Sequence, residues 1–203
     1  MAESEEFPAV SPPVRLVLAE DEALIRLDLK ETLEEEGYEI VGEAADGAKA
    51  IELVRETKPE VAILDIKMPG TDGLTAAKVI IEERLAAVVI LTAFSQRDLI
   101  DQAREAGALA YVVKPFHRND LVPAIELARA RFRELVALSE QAASLEKQLE
   151  TRKVVDRAKG KLMDSHDLAE SEAFKFIQAT AMGGRTTMRK VAQQVLDGEL
   201  QPE

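Results

Sequence analysis

The stretch Val61-Ala62-Ile63-Leu64-Asp65-Ile66-Lys67-Met68-Pro69-Gly70 decides how the rest of the chain is read. Four apolar residues end on a single carboxylate, and a Pro-Gly pair then stops the run. The pattern predicts a buried parallel strand that delivers Asp65 to the edge of a sheet. Taken alone, such an aspartate is as readily a helix cap or a loop residue as a functional group. Its company decides. The apolar run 14–19 ends in Glu20, Asp21 and Glu22, the run 88–91 ends in Thr92, and 110–113 ends in Lys114 and Pro115. Each carries its polar residue at the C-terminal end. In open doubly wound sheets the ligand site lies outside the carboxyl ends of the strands, so the four ends can converge on one crevice.

Outward from this strand, the pattern alternates strand and helix. A helix is expected over 22–36, with Leu24, Leu27, Leu29 and Leu33 at roughly helical spacing and Gly37 as its stop. A second strand at 38–44 precedes a helix over 48–57, halted before Pro59. Asp72-Gly73 opens a helix to about residue 84, another spans about 96–106, and Asn119 is placed to cap one more. Five strand-then-helix repeats predict a compact α/β domain over 14–123 with a five-stranded parallel sheet. Residues 1–13, with three Glu and three Pro, read as a flexible leader, and 199–203 as a tail.

The chain of 203 residues, 46% hydrophobic, has room for one sizeable core and a smaller module. It has no cysteine, hence no disulfide framework or thiolate zinc site. Neither a signal peptide nor an apolar run of membrane-spanning length is present, so a cytoplasmic protein without membrane contact is expected. The net charge of −12 argues against indiscriminate nucleic-acid binding, but it is unevenly placed. Residues 14–123 carry 13 basic and 22 acidic side chains, net −9, whereas 151–198 carry 9 basic and 6 acidic, net +3. If any part meets a polyanion, it is the C-terminal one.

Glu20, Asp21 and Asp65 at adjoining strand ends would bring three carboxylates together, which is costly unless a cation neutralises them or some protonate. A hard divalent ion with oxygen ligands, Mg2+ above all, meets that need. Lys114 adds a fixed positive charge and Thr92 a hydroxyl, which suit a tetrahedral oxyanion between metal and ammonium. The set describes a site for putting a phosphoryl group on Asp65 without a general base, since a carboxylate is already a nucleophile. The Lys67 side chain reads as a solvated charge. His117 and His166 lack metal-ligand spacing and receive no role. A dehalogenase-type phosphatase would want a second Asp two residues after the first, where Lys67 stands. Glycine-rich dinucleotide and triphosphate loops are missing from the sequence.

The acidic pair, the D-x-K-M-P-G run, Thr92-Ala93 and Tyr111-x-x-Lys114-Pro115-Phe116 together resemble the receiver domain of bacterial two-component response regulators. The resemblance implies a flavodoxin-like sheet of order 2-1-3-4-5, a sensor histidine kinase as phosphodonor, and no enzyme activity beyond the receiver's own phosphoryl transfer and dephosphorylation. It assigns Asp65 as phosphoacceptor, with Glu20, Asp21, Asp65 and the Lys67 backbone carbonyl around magnesium. Thr92 and Lys114 would contact the phosphoryl group, with Thr92 and Tyr111 as the switch pair. Ala93, small, would leave the phosphate approachable. Thr71 stands where many relatives have an apolar residue.

Past the receiver-like part, Leu121, Ile125, Ala128, Phe132 and Leu135 step by fours and threes, and Leu138, Ala142, Leu145 and Leu149 continue the stripe after an extra three-residue step. This predicts a linker helix over 124–150 that could form a coiled coil, its seam thinned by Ala128, Ser139 and Ala142. Pro123 falls in a first turn, where it is tolerated. Three further helices are expected over 149–163, 172–182 (capped by Ser171) and 187–196, separated at Gly183-Gly184. Their bundle over 151–198 would have Val155, Ala158, Leu162, Phe174, Ile177, Ala181, Met188, Val191, Ala192 and Val195 as its core. Gly160, in mid-helix, costs about 1 kcal/mol against Ala, and close approach of another helix or of a nucleic-acid backbone would justify it.

Ala158-Lys159-Gly160-Lys161-Leu162-Met163, Glu172-Ala173-Phe174 and Val191-Ala192 resemble the ANTAR domain of transcription antitermination regulators. That implies binding of structured RNA hairpins, usually as a dimer held by the preceding coiled coil; here the homodimer would depend on phosphorylation. Lys161 stands where relatives tend to have an apolar residue. Arg152, Lys153, Arg157, Lys159, Lys161, Arg185, Arg189 and Lys190 are the candidate RNA contacts, to phosphates more than to bases. A DNA-binding output and a protein-docking output are the alternatives. The first would need a recognition helix in the major groove, for which the short, mixed-charge last helix is poorly suited.

Overall fold

The computed structural model describes residues 12–93 and 103–202. Five strands, β1 (Arg15–Ala19), β2 (Glu39–Ala44), β3 (Val61–Asp65), β4 (Ala87–Thr92) and β5 (Ala110–Val113), form one parallel sheet of order β2-β1-β3-β4-β5. This is the flavodoxin-like order expected. β3 and β4 are buried along their whole length, which is why they read as continuous apolar runs rather than alternating ones. The two sheet faces have separate cores. Val17, Ala62, Leu64, Val88 and Ile90 face one side, and Leu16, Leu18, Ile63, Val89 and Leu91 the other. Each fully buried aliphatic side chain stabilises by about 1.5–3 kcal/mol.

Three helices follow the first three strands: α1 (Ala23–Glu35), α2 (Gly47–Thr57) and α3 (Gly73–Glu82). The Asp46 side chain caps α2 through the Lys49 N–H at 2.9 Å. Within α1 only Leu29 and Leu33 are buried; Leu24 is 82% and Leu27 50% exposed. The four leucines do not form one stripe. At 100° per residue Leu27 points nearly opposite Leu29. The helix expected at 96–106 lies largely outside the described residues, of which 103–105 are helical.

The longest element, α4 (Arg118–His166), runs unbroken for 49 residues. It starts at Arg118, before the expected cap: the Asp120 carboxylate accepts the His117 N–H at 3.1 Å, and Asn119 sits inside the first turn. Leu121, Ile125 and Ala128 are buried in the second sheet core and Phe132 packs against it. Further along the stripe Leu138, Leu145 and Leu149 are 58–59% exposed. The predicted seam is thus half domain core and half bare surface. The helix expected over 149–163 is a continuation of α4, which passes through Gly160 without interruption.

By its contacts the chain divides into two compact units between Val136 and Ala137. In the second, the end of α4 packs with α5 (Glu170–Gly183) and α6 (Met188–Asp197) around Val155, Ala158, Leu162, Ala173, Ile177, Ala181, Val191, Ala192 and Val195. Phe174 is not core; it is 38% exposed. The buried stripe of α5 steps 173, 177, 181, which places Phe174 about 100° off it. Nor does Ser171 cap α5. The Glu172 carboxylate accepts the Ala169 N–H at 2.9 Å, so the helix begins one residue before Ser171. Thr187, expected as the first residue of the last helix, is instead the cap of α6 and accepts the Lys190 N–H at 3.3 Å.

Candidate functional site

Asp65 ends β3, and the start of α3 presses directly on it. A Cβ at Gly73 would lie 1.8 Å from the Asp65 carbonyl oxygen, so only glycine lets the two backbones meet there. The Gly73 N–H donates to the Ile66 carbonyl at 3.0 Å, and Asp72 caps α3 through the Thr75 N–H at 2.7 Å. The loop after Asp65 is pinned at both ends. Both carboxylate oxygens are engaged: Oδ2 accepts the Lys67 N–H at 2.8 Å, and Oδ1 pairs with Lys114 Nζ at 2.6 Å.

Lys114 also reaches Glu20 Oε2 at 2.5 Å, bridging two carboxylates that are 0% and 5% exposed. Glu20 is fixed at every polar atom. Its N–H donates to the Ala44 carbonyl at 3.1 Å, its carbonyl accepts from the Arg26 guanidinium, and Oε1 accepts the Glu22 N–H at 3.3 Å. Burial pushes the Glu20 carboxyl above its ordinary value; Lys114 pulls it back, and Asp65 pushes it further up. Burial alone would lower Lys114, but its bonds to Asp65 and Glu20 outweigh it and hold the ammonium above its ordinary value.

One oxygen each from Glu20, Asp21 and Asp65 lie within 4.8 Å of one another. Asp21 is exposed, so the cluster opens to solvent on its side. Three carboxylates against one ammonium, with oxygen-only donors, fit a hard divalent cation such as magnesium. Thr92, 3% exposed, ends β4 next to this cluster, and its carbonyl accepts the Lys114 N–H at 2.7 Å. Asp21, Asp65, Lys67, Thr92, Ala93 and Lys114 line one cleft of about 700 Å³. The four strand ends converge. Tyr111 lies apart from the cleft, on edge strand β5, with its side chain about half exposed at 46%. Reading the sequence missed Arg26 and Gly73. Arg26 falls one helical turn beyond the acidic run, and its role depends on where the Glu20 carbonyl points.

The eight basic residues proposed to face RNA separate into two groups. Arg152 pairs with Asp156 at 3.8 Å and Arg189 with Glu150 at 3.2 Å, while Lys159 is held at 2.8 Å by both Asp156 and Glu170. Lys161 donates to the Leu196 carbonyl at 2.8 Å, where it meets the exposed C-terminal end of α6. Its first task is structural. Lys153, Arg157, Arg185 and Lys190 are exposed, with no acidic partner within 4.0 Å among the described residues. A Cβ built at Gly160 meets nothing within 4 Å, so no other helix presses on it. Among the described residues no helix is long and apolar enough to cross a membrane.

Comparison with known proteins divides the chain in a similar way. The response regulator receiver domain matches residues 16–126, and the ANTAR domain matches 143–196. The transcriptional regulatory protein PdtaR of Mycobacterium tuberculosis is 58% identical over 185 residues, covering 91% of this chain and 90% of its own. The signal receiver domain of the putative response regulator NarL from the same species superposes with a TM-score of 0.56 at 31% identity, over 59% of this chain and 98% of that one. A chain of the CheX–CheY–BeF3–Mg2+ complex from Borrelia burgdorferi gives 0.53 at 25% identity, over 56% of this chain and 87% of that one.

Proposed function

Because the chain belongs to the response regulators, with a receiver domain followed by an ANTAR domain, we propose that it is a cytoplasmic two-component regulator phosphorylated on Asp65 by a sensor histidine kinase. The phosphoryl group controls an RNA-binding output that acts in transcription antitermination. The observation that carries the first half is the Lys114 ammonium bridging Glu20 and Asp65, with Asp21 within reach of both.

The Asp65 oxygens accept from the Lys67 N–H and from Lys114, and a carboxylate has about four lone-pair sites in all. One of the oxygens attacks the phosphorus of a phosphohistidine; the new P–O bond forms as the P–N bond breaks, its electron pair returning to the imidazole. Lys114 balances charge on the phosphoryl oxygens, and the Thr92 hydroxyl donates to one of them. Glu20, Asp21, Asp65 and the Lys67 carbonyl would hold magnesium, which would supply positive charge to offset that of the transferred group. A similar fold in a complex containing BeF3 and Mg2+ supports this pairing of anion and hard cation. Water attack on the acyl phosphate later restores the carboxylate and releases phosphate.

Engagement of Thr92 draws Tyr111 inward from its half-exposed position and reshapes the surface beside β5. The ANTAR domain then binds RNA hairpins through Lys153, Arg157, Arg185 and Lys190, with Arg152, Lys159, Lys161 and Arg189 supporting. The bare leucines of α4 pair in a phosphorylation-dependent homodimer. Incubation with a small-molecule phosphodonor and magnesium should yield one acid-stable, alkali-labile phosphate per chain, and Asp65→Asn none. An undiminished yield in Asp65→Asn would contradict the assignment.

A further inference from the structure

The second unit leaves an aromatic ring where a core position was expected, and the ring is not on open surface. Phe174, 38% exposed, lies with Val155 and Met188 in a groove of about 600 Å³ rimmed by Lys147, Arg152 and Lys159. That volume falls within the range of small-ligand sites, roughly 300–1,000 Å³. The α4 positions in the groove recur at steps of three and four, so a single helix face supplies the whole cationic wall.

We infer that this groove is a stacking site for one unpaired nucleobase of an RNA loop, with Phe174 as the platform and Lys147, Arg152 and Lys159 meeting the flanking phosphates. The inference rests on the RNA-binding output proposed above and adds to it the place where a base is taken up. Two observations carry it. Ala173 fills the core position beside Phe174, so the phenyl ring is not needed to close the bundle and forfeits part of its own burial. The groove is lined by three cations and one carboxylate, Asp156, which Arg152 and Lys159 pair; Glu170 also holds Lys159, and with both acids counted the rim keeps a net positive charge, with Lys147 its cation outside these pairs. An apolar floor under a positive rim matches the two chemistries of a nucleotide, a flat π face and an anion. Every base has such a face, so the platform selects unpaired bases over paired ones more than it selects sequence.

The test uses the full chain and a set of RNA hairpins with a fixed stem and varied loops. Phe174→Leu should weaken binding of the best hairpin about tenfold or more, the size of one base stacked on an aromatic ring, with Phe174→Tyr retaining affinity and both variants melting as the wild type does. Making one loop nucleotide abasic should weaken the wild type by a similar factor and leave Phe174→Leu unchanged. If Phe174→Leu binds as tightly as the wild type, or the abasic loss is equal in both, the platform is wrong while the RNA output stands. A matching loss of self-association in Phe174→Leu would place a second copy of the chain in the groove and overturn the base assignment. Failure of the wild type to bind any hairpin would remove both readings.

Discussion

Glu20 is an acid with no exposed surface, pushed above its ordinary value by burial, pulled back by its bond to Lys114 and pushed up again by the neighbouring Asp65. Its folded pKa lies above the unfolded value of about 4.5, so the folded state binds its proton more tightly. Its stabilising contribution is therefore full below about 4.5 and is lost as pH rises through the raised folded value. Glu20→Gln cannot titrate. In EDTA the Tm of Glu20→Gln minus that of the wild type should widen in favour of the variant as pH rises through this window and level off above it. Parallel curves would contradict the assignment. Lys114→Ala removes the cation between two buried acids and should cost on the order of 3 kcal/mol in EDTA by urea unfolding. Magnesium should recover more of that loss than it adds to the wild type. Glu20, Asp21, Asp65, Thr92 and Lys114 were legible because each closes an apolar run, and strand ends in one parallel sheet must meet. Gly73 and Arg26 were not, because their roles are fixed by backbone atoms that only the folded chain brings near.

At the scale of elements, α4 and α5 show what a hydrophobic pattern can and cannot carry. The stripe from Leu121 to Leu149 correctly marked a long helix, yet its first half is covered by the sheet and its second half is bare. Spacing gives a face, not the surface it meets. Phe174 is the sharper case: a shift of one residue in helix register exchanges it with Ala173, and composition favours the phenylalanine. Gly160 gives a direct test of the long helix. Nothing lies within 4 Å of a Cβ built there, so Gly160→Ala should stabilise the second unit, by up to about 1 kcal/mol. Thermal unfolding followed by far-ultraviolet dichroism would register it. A destabilised variant would mean that a neighbour presses on this helix face.

For the whole molecule, the charge of −12 is unevenly placed, with −9 over the receiver region 14–123 against +3 over the C-terminal region 151–198. A phosphoryl group adds about −1.5 to −2 to the acidic part. Moving a two-state switch from almost all off to almost all on takes roughly 10⁴-fold bias, about 5.5 kcal/mol; a partial shift in RNA affinity is the expected response. The fold and the receiver cleft are written in strand-end chemistry. The output is written in scattered exposed cations, whose roles depend on which of them the bundle pairs internally. The proposed control of RNA binding by a phosphoryl group on Asp65 can be measured by titrating hairpin RNAs against the protein with and without a small-molecule phosphodonor, with duplex DNA as competitor and Asp65→Asn in parallel. Selective RNA binding that strengthens with the phosphodonor in the wild type alone is the expected result. RNA affinity that is the same in all four conditions would contradict it.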